Sequence, residues 1–269
     1  YYFTIYNRDI AEMDTIFKLN REMIARNSLV HEIILNKKNE PLTLVDGVYY
    51  ILLRVYVNDT KIISIDDILF MLNSNDSIMD NNIIGRTDWV KLWSLKIDYF
   101  EYQIGHLIKK YPYIYNTVDY YIGLGENAIE YIKELSEEKM NTNLSVTHRR
   151  IGANSTLFDL YNPLNLVIDY KVRDIAEYIK DVFFNSDIDV YKILNELFSK
   201  AIFDKPTLSL LFSRLLFPSY YFDLYENILE MDLNENIILN IIKKSTSYEK
   251  FLYFLMQNWS LYKIEWLVK

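Results

Sequence analysis

The sequence predicts an α+β chain of two lobes, a small mixed lobe at residues 1–60 and a large, mainly helical lobe at residues 61–269. Three observations carry this. Strand-like alternation of apolar residues is confined to the early stretches and to a central stretch at residues 144–170. From Trp89 onward apolar residues recur at spacings of three and four, the mark of helices that bury one face. At 269 residues the chain can bury a large core, in one domain or in two lobes.

Taken in order, Tyr1 to Tyr6 (YYFTIY) alternates and reads as a strand. Asp9 to Ile24 places Ile10, Met13, Ile16, Phe17, Met23 and Ile24 on one side of a helix. His31 to Leu35 and Tyr49 to Tyr56 are strand-like and are joined through a turn at Asp46-Gly47, giving strand, helix and hairpin. The polar stretch Asn73 to Asn82 reads as a mobile loop or a boundary between lobes. A long helix follows from Trp89, with Trp93, Ile97, Phe100, Ile104 and Leu107 as a core-facing stripe, and Pro112 marks its exit. Asp119 to Leu135 is a second helix, and its Gly123-Leu124-Gly125 reads as close helix packing rather than phosphate binding.

Beyond the central stretch, helices are predicted at Arg173 to Phe184, Val190 to Ile202, Leu208 to Phe217, Tyr220 to Met231, Glu235 to Lys243 and Tyr248 to Met256. Pro206 and Pro218 bracket the third of these. The tail from Trp259 to Leu267 is aromatic, and no fixed repeat period is visible.

The net charge of −8 argues against broad nucleic-acid binding, which needs a positive footprint. Absence of cysteine removes disulfides, a thiol nucleophile and thiolate metal sites. No apolar run reaches the ~18 residues of a membrane span, and Tyr1 opens no signal peptide, so the chain is expected not to be transmembrane. It also opens without methionine, so strands preceding Tyr1 would fall outside this sequence. His31, His106 and His148 are far apart and form no HExxH spacing. GxSxG, GxxxxGK[ST] and GxGxxG are all absent from the sequence.

Candidate chemistry is concentrated in Leu144 to Tyr178, which holds the triplet His148-Arg149-Arg150, an apolar run from Leu164 to Ile168 ending at Asp169, and Arg173-Asp174 at the opening of a helix. Val146 to Arg150 reads as a strand or turn. A carboxylate ending a buried strand suits either a divalent ion on phosphates or a structural turn, and both readings of Asp169 stand. Asp174 and Arg173 read as structural, with Asp174 satisfying exposed backbone donors. Arg149 and Arg150 are candidates for binding an anion or pairing with a carboxylate, and neither can serve as a base because a guanidinium stays protonated.

HRRIGANS followed by NLVIDYKVRDIAEYIK resembles the signature of the aminoglycoside phosphotransferase and choline kinase superfamily. There, a strand carries H-x-D-x-x-x-x-N, and a later strand ends in I-D-[FYW] before an aspartate at a helix start. WVKLWSLKID at Trp89, YYIGLGENAIEYI at Tyr120, DLYNPLN at Asp159 and RLLFPSYYFDLYE at Arg214 resemble its sporulation branch, the bacterial spore coat proteins of the CotS and YutH type. The resemblance implies a protein kinase-like bilobal fold whose N-lobe is partial here, since a Gly-rich loop would precede Tyr1.

Carried over by position, the resemblance puts the catalytic aspartate at Arg150, the metal-binding asparagine at Ser155 with Asn154 beside it, and the nucleotide-anchoring lysine near Thr4. Its helix partner falls at Glu12 or Glu22. Asp169 is the retained metal-binding aspartate, vestigial on this reading, and Asp174 is retained. A permanent cation in place of the base removes proton abstraction and repels metal. The implied protein is therefore catalytically inactive and uses no cofactor. It serves as a structural or assembly protein of the spore coat, built in from the mother-cell cytoplasm with other spore coat proteins as partners and no nucleic acid. Arg149 or Arg150 is expected to pair with Asp169 in place of metal. The alternatives are a small-molecule phosphotransferase using Asp159 or Asp169, and a nucleotide or anion sensor using the arginines.

Overall fold

Aromatic and β-branched residues at Tyr2–Ile5 form strand β1, and the 3-10 turn Ile10–Glu12 leads into helix α1, Met13–Ala25. The turn is opened by Asp9, whose side chain accepts from the Ala11 amide. Helix α1 buries Met13, Ile16, Leu19, Asn20 and Met23. Asn20 is the one polar member, and it ties the next strand down: its Nδ2 donates to the His31 carbonyl and its Oδ1 accepts from the Ile33 amide.

Strands β2 (Glu32–Ile34), β3 (Leu42–Val45) and β4 (Val48–Arg54) complete an antiparallel sheet. One edge of β4 pairs with β1, from Tyr2↔Leu53 to Ile5↔Tyr50, while the other is shared end to end by β2 and β3. The Asp46-Gly47 turn belongs to β3 and β4, with φ of 48° and 80°, which a two-residue hairpin loop demands of both central residues. The sequence pattern predicts β2 as the partner across that turn, and the structure places β3 there instead. Helix α2, Ile65–Ser74, is a further element that the sequence reading does not include. Its start is capped by Ser64 and Asp67, whose side chains exchange hydrogen bonds with each other's backbone amides.

The computed structural model describes residues 1–26, 28–57, 60–74, 83–107, 110–135 and 144–268. The predicted polar loop at Asn73 to Asn82 thus lies mostly outside the described residues. The chain divides into two compact units, Tyr1–Thr87 with Asn143–Asp174, and Asp88–Thr142 with Ile175–Lys269.

In the first unit, β5 (Leu144–His148) and β6 (Leu166–Tyr170) form a two-stranded antiparallel sheet, from Leu144↔Tyr170 to His148↔Leu166. Between them lie the short helix α5, Leu157–Leu160, and a 3-10 turn, Pro163–Asn165. The early and late segments of this unit are stitched by backbone hydrogen bonds, His31 N to Tyr161 O at 2.9 Å, Ile63 N to Ser155 O at 2.9 Å and Arg86 N to Ile168 O at 2.8 Å. Helix α6, Val172–Asn185, contributes its first residues here and the rest to the second unit.

The regular elements described in the second unit are all helical: α3 (Trp89–Leu107), α4 (Pro112–Glu134), α7 (Val190–Lys200), α8 (Lys205–Leu216), α9 (Ser219–Glu230) and α10 (Leu239–Asn258) join α6. Stacked rings fill its interior, with Trp93 on Phe217 at 4.5 Å, Phe100 on Phe222 at 4.4 Å and Tyr121 on Tyr221 at 3.7 Å. Pro112 opens α4 at its first position, where a missing amide costs nothing. The stretches Glu235 to Lys243 and Tyr248 to Met256 are joined: after a 3-10 turn at Glu235–Ile238, α10 runs unbroken. No helix among the described residues is long and apolar enough to cross a membrane.

Candidate functional site

The chemistry-bearing residues gather where β5 ends. His148 is fully buried, and Asp174 grips it twice: Oδ1 accepts from the His148 amide at 3.0 Å and Oδ2 from its ring Nδ1 at 2.7 Å. The other ring nitrogen, Nε2, faces the Leu160 carbonyl at 2.8 Å. Both partners are acceptors, so an imidazolium satisfies them both. Burial alone pushes His148 down, but the Asp174 carboxylate, aided by the Leu160 carbonyl, outweighs it and holds the imidazole above its usual range. Asp174 thus satisfies donors of β5, where the sequence reading expects it to satisfy the exposed donors of its own helix.

Past His148 the backbone is pinned from two sides. Asn165 accepts the Arg149 amide on its carbonyl at 2.7 Å, and its side chain accepts from the Arg150 amide and donates to the Arg150 carbonyl. Arg173 donates Nε to the His148 carbonyl at 2.8 Å and Nη2 to the Arg149 carbonyl at 3.2 Å. Its Nη1 lies 2.6 Å from Asp169 Oδ2. The other oxygen of Asp169 accepts from the Tyr170 amide at 2.7 Å. Arg173 thus sets a cation on Asp169, a partner the sequence reading does not nominate beside Arg149 and Arg150. Four residues separate the pair, close enough for a strand-to-helix turn to bring them together without help from the triplet.

Arg149 and Arg150 line a cleft of about 430 Å³ within the first unit, together with Thr4, Asn7, Asp159 and Asn165. Asp169 is not among its lining residues. Asp159 is occupied in capping α5, where Oδ2 accepts from the amide and the hydroxyl of Thr156, both at 2.8 Å. Ser155 is turned to local work as well, accepting from the Gly152 amide at 3.0 Å. Thr4 lies on β1 opposite Ile51.

Arginines crowd this side of the unit. Arg8 donates Nε to Glu12 at 2.7 Å and Nη1 to the carbonyls of Leu164 and Leu166, while Arg86 Nη2 reaches the other oxygen of Glu12 at 3.0 Å. Among the described residues Arg8 Nη2 is buried without a hydrogen-bond partner. Glu12 lies below its usual range: burial opposes the shift, and the bonds and charges of Arg8 and Arg86 overcome it. Of the two glutamates proposed as the helix partner, Glu12 is thus the one held in ion pairs, while Glu22 is exposed. Arg149 is pushed down by burial and by the neighbouring Arg8, Arg86 and Arg150, with Glu12 pulling the other way.

The sequence reading did not single out Arg8, Arg86 or Asn165. Only Arg8 carried a local signal, its four-residue spacing to Glu12; the other two act through contacts distant in sequence.

These donors do not fit a divalent ion on a nucleotide. The Asp169 carboxylate is taken up by a guanidinium and a backbone amide, an arginine stands in the third position of the triplet, and Ser155 is turned to a backbone amide. Among the described residues no group of three or more His, Cys, Asp or Glu is placed to hold a metal.

Comparison with known proteins identifies the lineage. The Endospore coat-associated protein YutH of Bacillus subtilis (strain 168) is 28% identical over 154 residues, 52% of this chain. That match spans 45% of the Bacillus protein, less than half its length. Among solved structures, an aminoglycoside phosphotransferase from Alicyclobacillus acidocaldarius subsp. acidocaldarius DSM 446 superposes with a TM-score of 0.64 at 10% identity, covering 96% of this chain and 86% of that one. Amicoumacin kinase hAmiN, in complex with AMP-PNP, Ca2+ and Ami, gives 0.54 at 9% identity, with 95% and 80% covered. At these identities the structures establish the fold, a bilobal kinase-like α+β architecture with a β-rich N-lobe and a mostly helical C-lobe. The family model described as "Spore coat putative kinase YutH" matches residues 1–255, and the chain belongs to that family of spore coat proteins.

Proposed function

We propose that this protein is a kinase-like structural or assembly component of the bacterial spore coat that does not transfer phosphate. The observation that carries the reading is the Arg173–Asp169 pair at 2.6 Å, which puts an internal cation where a phosphotransferase needs a carboxylate free for metal. Arg150 and Ser155 support it, since neither can deprotonate a substrate hydroxyl or complete an acidic metal site. On this reading the protein reaches the coat from the mother-cell cytoplasm and binds other coat proteins through its surfaces. Asp159 keeps an atypical phosphotransferase in view, because it lines the cleft, although its carboxylate is engaged with Thr156.

Two measurements test the proposal. Purified protein incubated with ATP and magnesium is expected to release no ADP, with or without small hydroxylated acceptors. Turnover abolished by Asp159→Asn or Asp169→Asn would establish the enzyme instead. A fluorescent fusion followed through sporulation is expected to move onto the forespore surface; uniform cytosolic signal during coat assembly overturns the coat assignment.

A further inference from the structure

We propose that the cleft in the first unit is a metal-independent receptor for a small phosphate-bearing molecule, gripped by Arg149 and Arg150 with Thr4 and Asn7 as neutral partners. The inference deepens the reading of this cleft as one that no longer transfers phosphate, and rests on that reading.

Three features of the first unit point to an anion. The first is an unanswered charge: among the described residues the Arg149 guanidinium makes no hydrogen bond and no ion pair, and three further arginines act on it, Arg8, Arg86 and Arg150. The acid that acts on Arg149 in that group, Glu12, is already shared between Arg8 and Arg86. Like charges crowded at a partly desolvated site favour a counter-ion. The second is pre-organisation. Asn165 and Arg173 fix the backbone of residues 148–150, so both side chains are presented without ordering a loop, which lowers the cost of binding.

The third is shape and donor type. A cleft of about 430 Å³ falls in the small-molecule range, and its lining brings together the side chains of Arg149 and Arg150, a hydroxyl and carboxamides. A phosphate monoester presents three terminal oxygens and up to two charges, matching that set better than a single carboxylate. Asp159, the acid in the lining, has one oxygen committed to Thr156.

Calorimetry on the full chain in EDTA, at constant ionic strength, tests the proposal with inorganic phosphate, pyrophosphate and succinate as probes. Phosphate and pyrophosphate should bind, succinate should bind more weakly, and added magnesium should not tighten binding. Arg149→Gln should weaken phosphate binding roughly tenfold or more, the scale of a charge-assisted pair. Its melting temperature should not fall, because among the described residues the guanidinium makes no hydrogen bond or ion pair and its removal relieves repulsion from Arg8, Arg86 and Arg150. Arg149→Lys should retain part of the affinity, and Arg54→Gln, which alters an exposed arginine paired with Glu32, should retain all of it. Absence of heat in EDTA, a requirement for magnesium, stronger binding of succinate, or equal losses in Arg149→Gln and Arg54→Gln would each overturn the receptor. ATP turnover would overturn the inactive reading instead and leave binding in EDTA to stand or fall by itself.

Discussion

Arg173 Nη1 sits 2.6 Å from Asp169 Oδ2, with the carboxylate side chain fully buried and the guanidinium 11% exposed. Removing one member of such a pair leaves an uncompensated charge in a medium that solvates it poorly. Arg173→Met is therefore expected to cost about 3–5 kcal/mol in urea unfolding. Arg173→Met combined with Asp169→Asn should recover part of that loss. Additive single and double variants would mean that the two side chains are not coupled.

The two buried histidines should tilt stability in opposite directions. His148 is held above its usual value, so its contribution is complete below about pH 6.5 and is lost as pH rises through the folded value. His31 is held below by burial, offset in part by the Phe158 carbonyl, and its Nδ1 is buried without a partner among the described residues. Its contribution is complete above about pH 6.5 and is lost as pH falls toward the folded value. His31→Phe keeps an aromatic ring beside Phe158 and should lessen the loss of stability between pH 8 and pH 5. Denaturant unfolding at the two pH values checks this, and an unchanged difference refutes it.

Lys180 is fully buried, and burial brings it down to about 8, against the pull of Glu177. Its ammonium donates to Glu177, Ser219 and the carbonyls of Arg214 and Phe217. Above the folded value the unfolded chain, with a lysine near 10.4, binds more protons, so this residue makes stability rise with pH by up to about 1.4 kcal/mol per unit. Wild type should gain relative to Lys180→Met between pH 8 and pH 9.5. Comparing the two also cancels the buried tyrosines, such as Tyr121 and Tyr131 at about 12, which act oppositely near pH 10. Parallel pH profiles would show that Lys180 does not titrate in this window.

Gly123 and Gly125 look equivalent in sequence and differ in surroundings. A Cβ on Gly123 would meet nothing within 4 Å, whereas one on Gly125 would lie 2.6 Å from Ile97 Cδ1 and 3.5 Å from the Phe217 ring. Gly123→Ala should stabilise by about 0.5–1 kcal/mol through helix propensity. Gly125→Ala should destabilise by about 1–3 kcal/mol through overpacking, because Ile97 is itself buried. Thermal melts of the two variants should move in opposite directions.

The contrast shows what could be read in advance. Packing at Gly125 was anticipated from the helical pattern, but nothing in GLG distinguishes the glycine with a neighbour from the one without. The long amphipathic patterns, such as Trp93, Ile97 and Phe100, were readable because burial repeats every turn. Strand β3 was not, since Leu42–Val45 is half exposed and takes its identity from pairing with β4. Helix α10 was read as two because Ser245, Thr246 and Ser247 interrupt its apolar rhythm; Ser245 instead bonds back to the Ile241 carbonyl and to the Tyr121 hydroxyl. At the site, Asp169 and Arg173 were both singled out, but their partnership was not. Pairing depends on where the turn after β6 aims two side chains, and one-dimensional spacing does not specify that.

Arg8 binds the carbonyls of Leu164 and Leu166, so the first unit is closed by residues that leave the ribosome long after its opening strands. Synthesis from Thr87 to Asp174 takes on the order of ten seconds at typical elongation rates. Through that interval His31, buried in the finished protein, lacks its partners Phe158 and Tyr161. A ribosome-bound chain arrested before Leu144 should therefore be cut readily by protease within residues 1–87, and one arrested well beyond Asp174 should resist cutting there. The split arrangement makes the first unit a late-maturing part of the nascent chain, whose vulnerability in the cell is set by translation speed as much as by final stability.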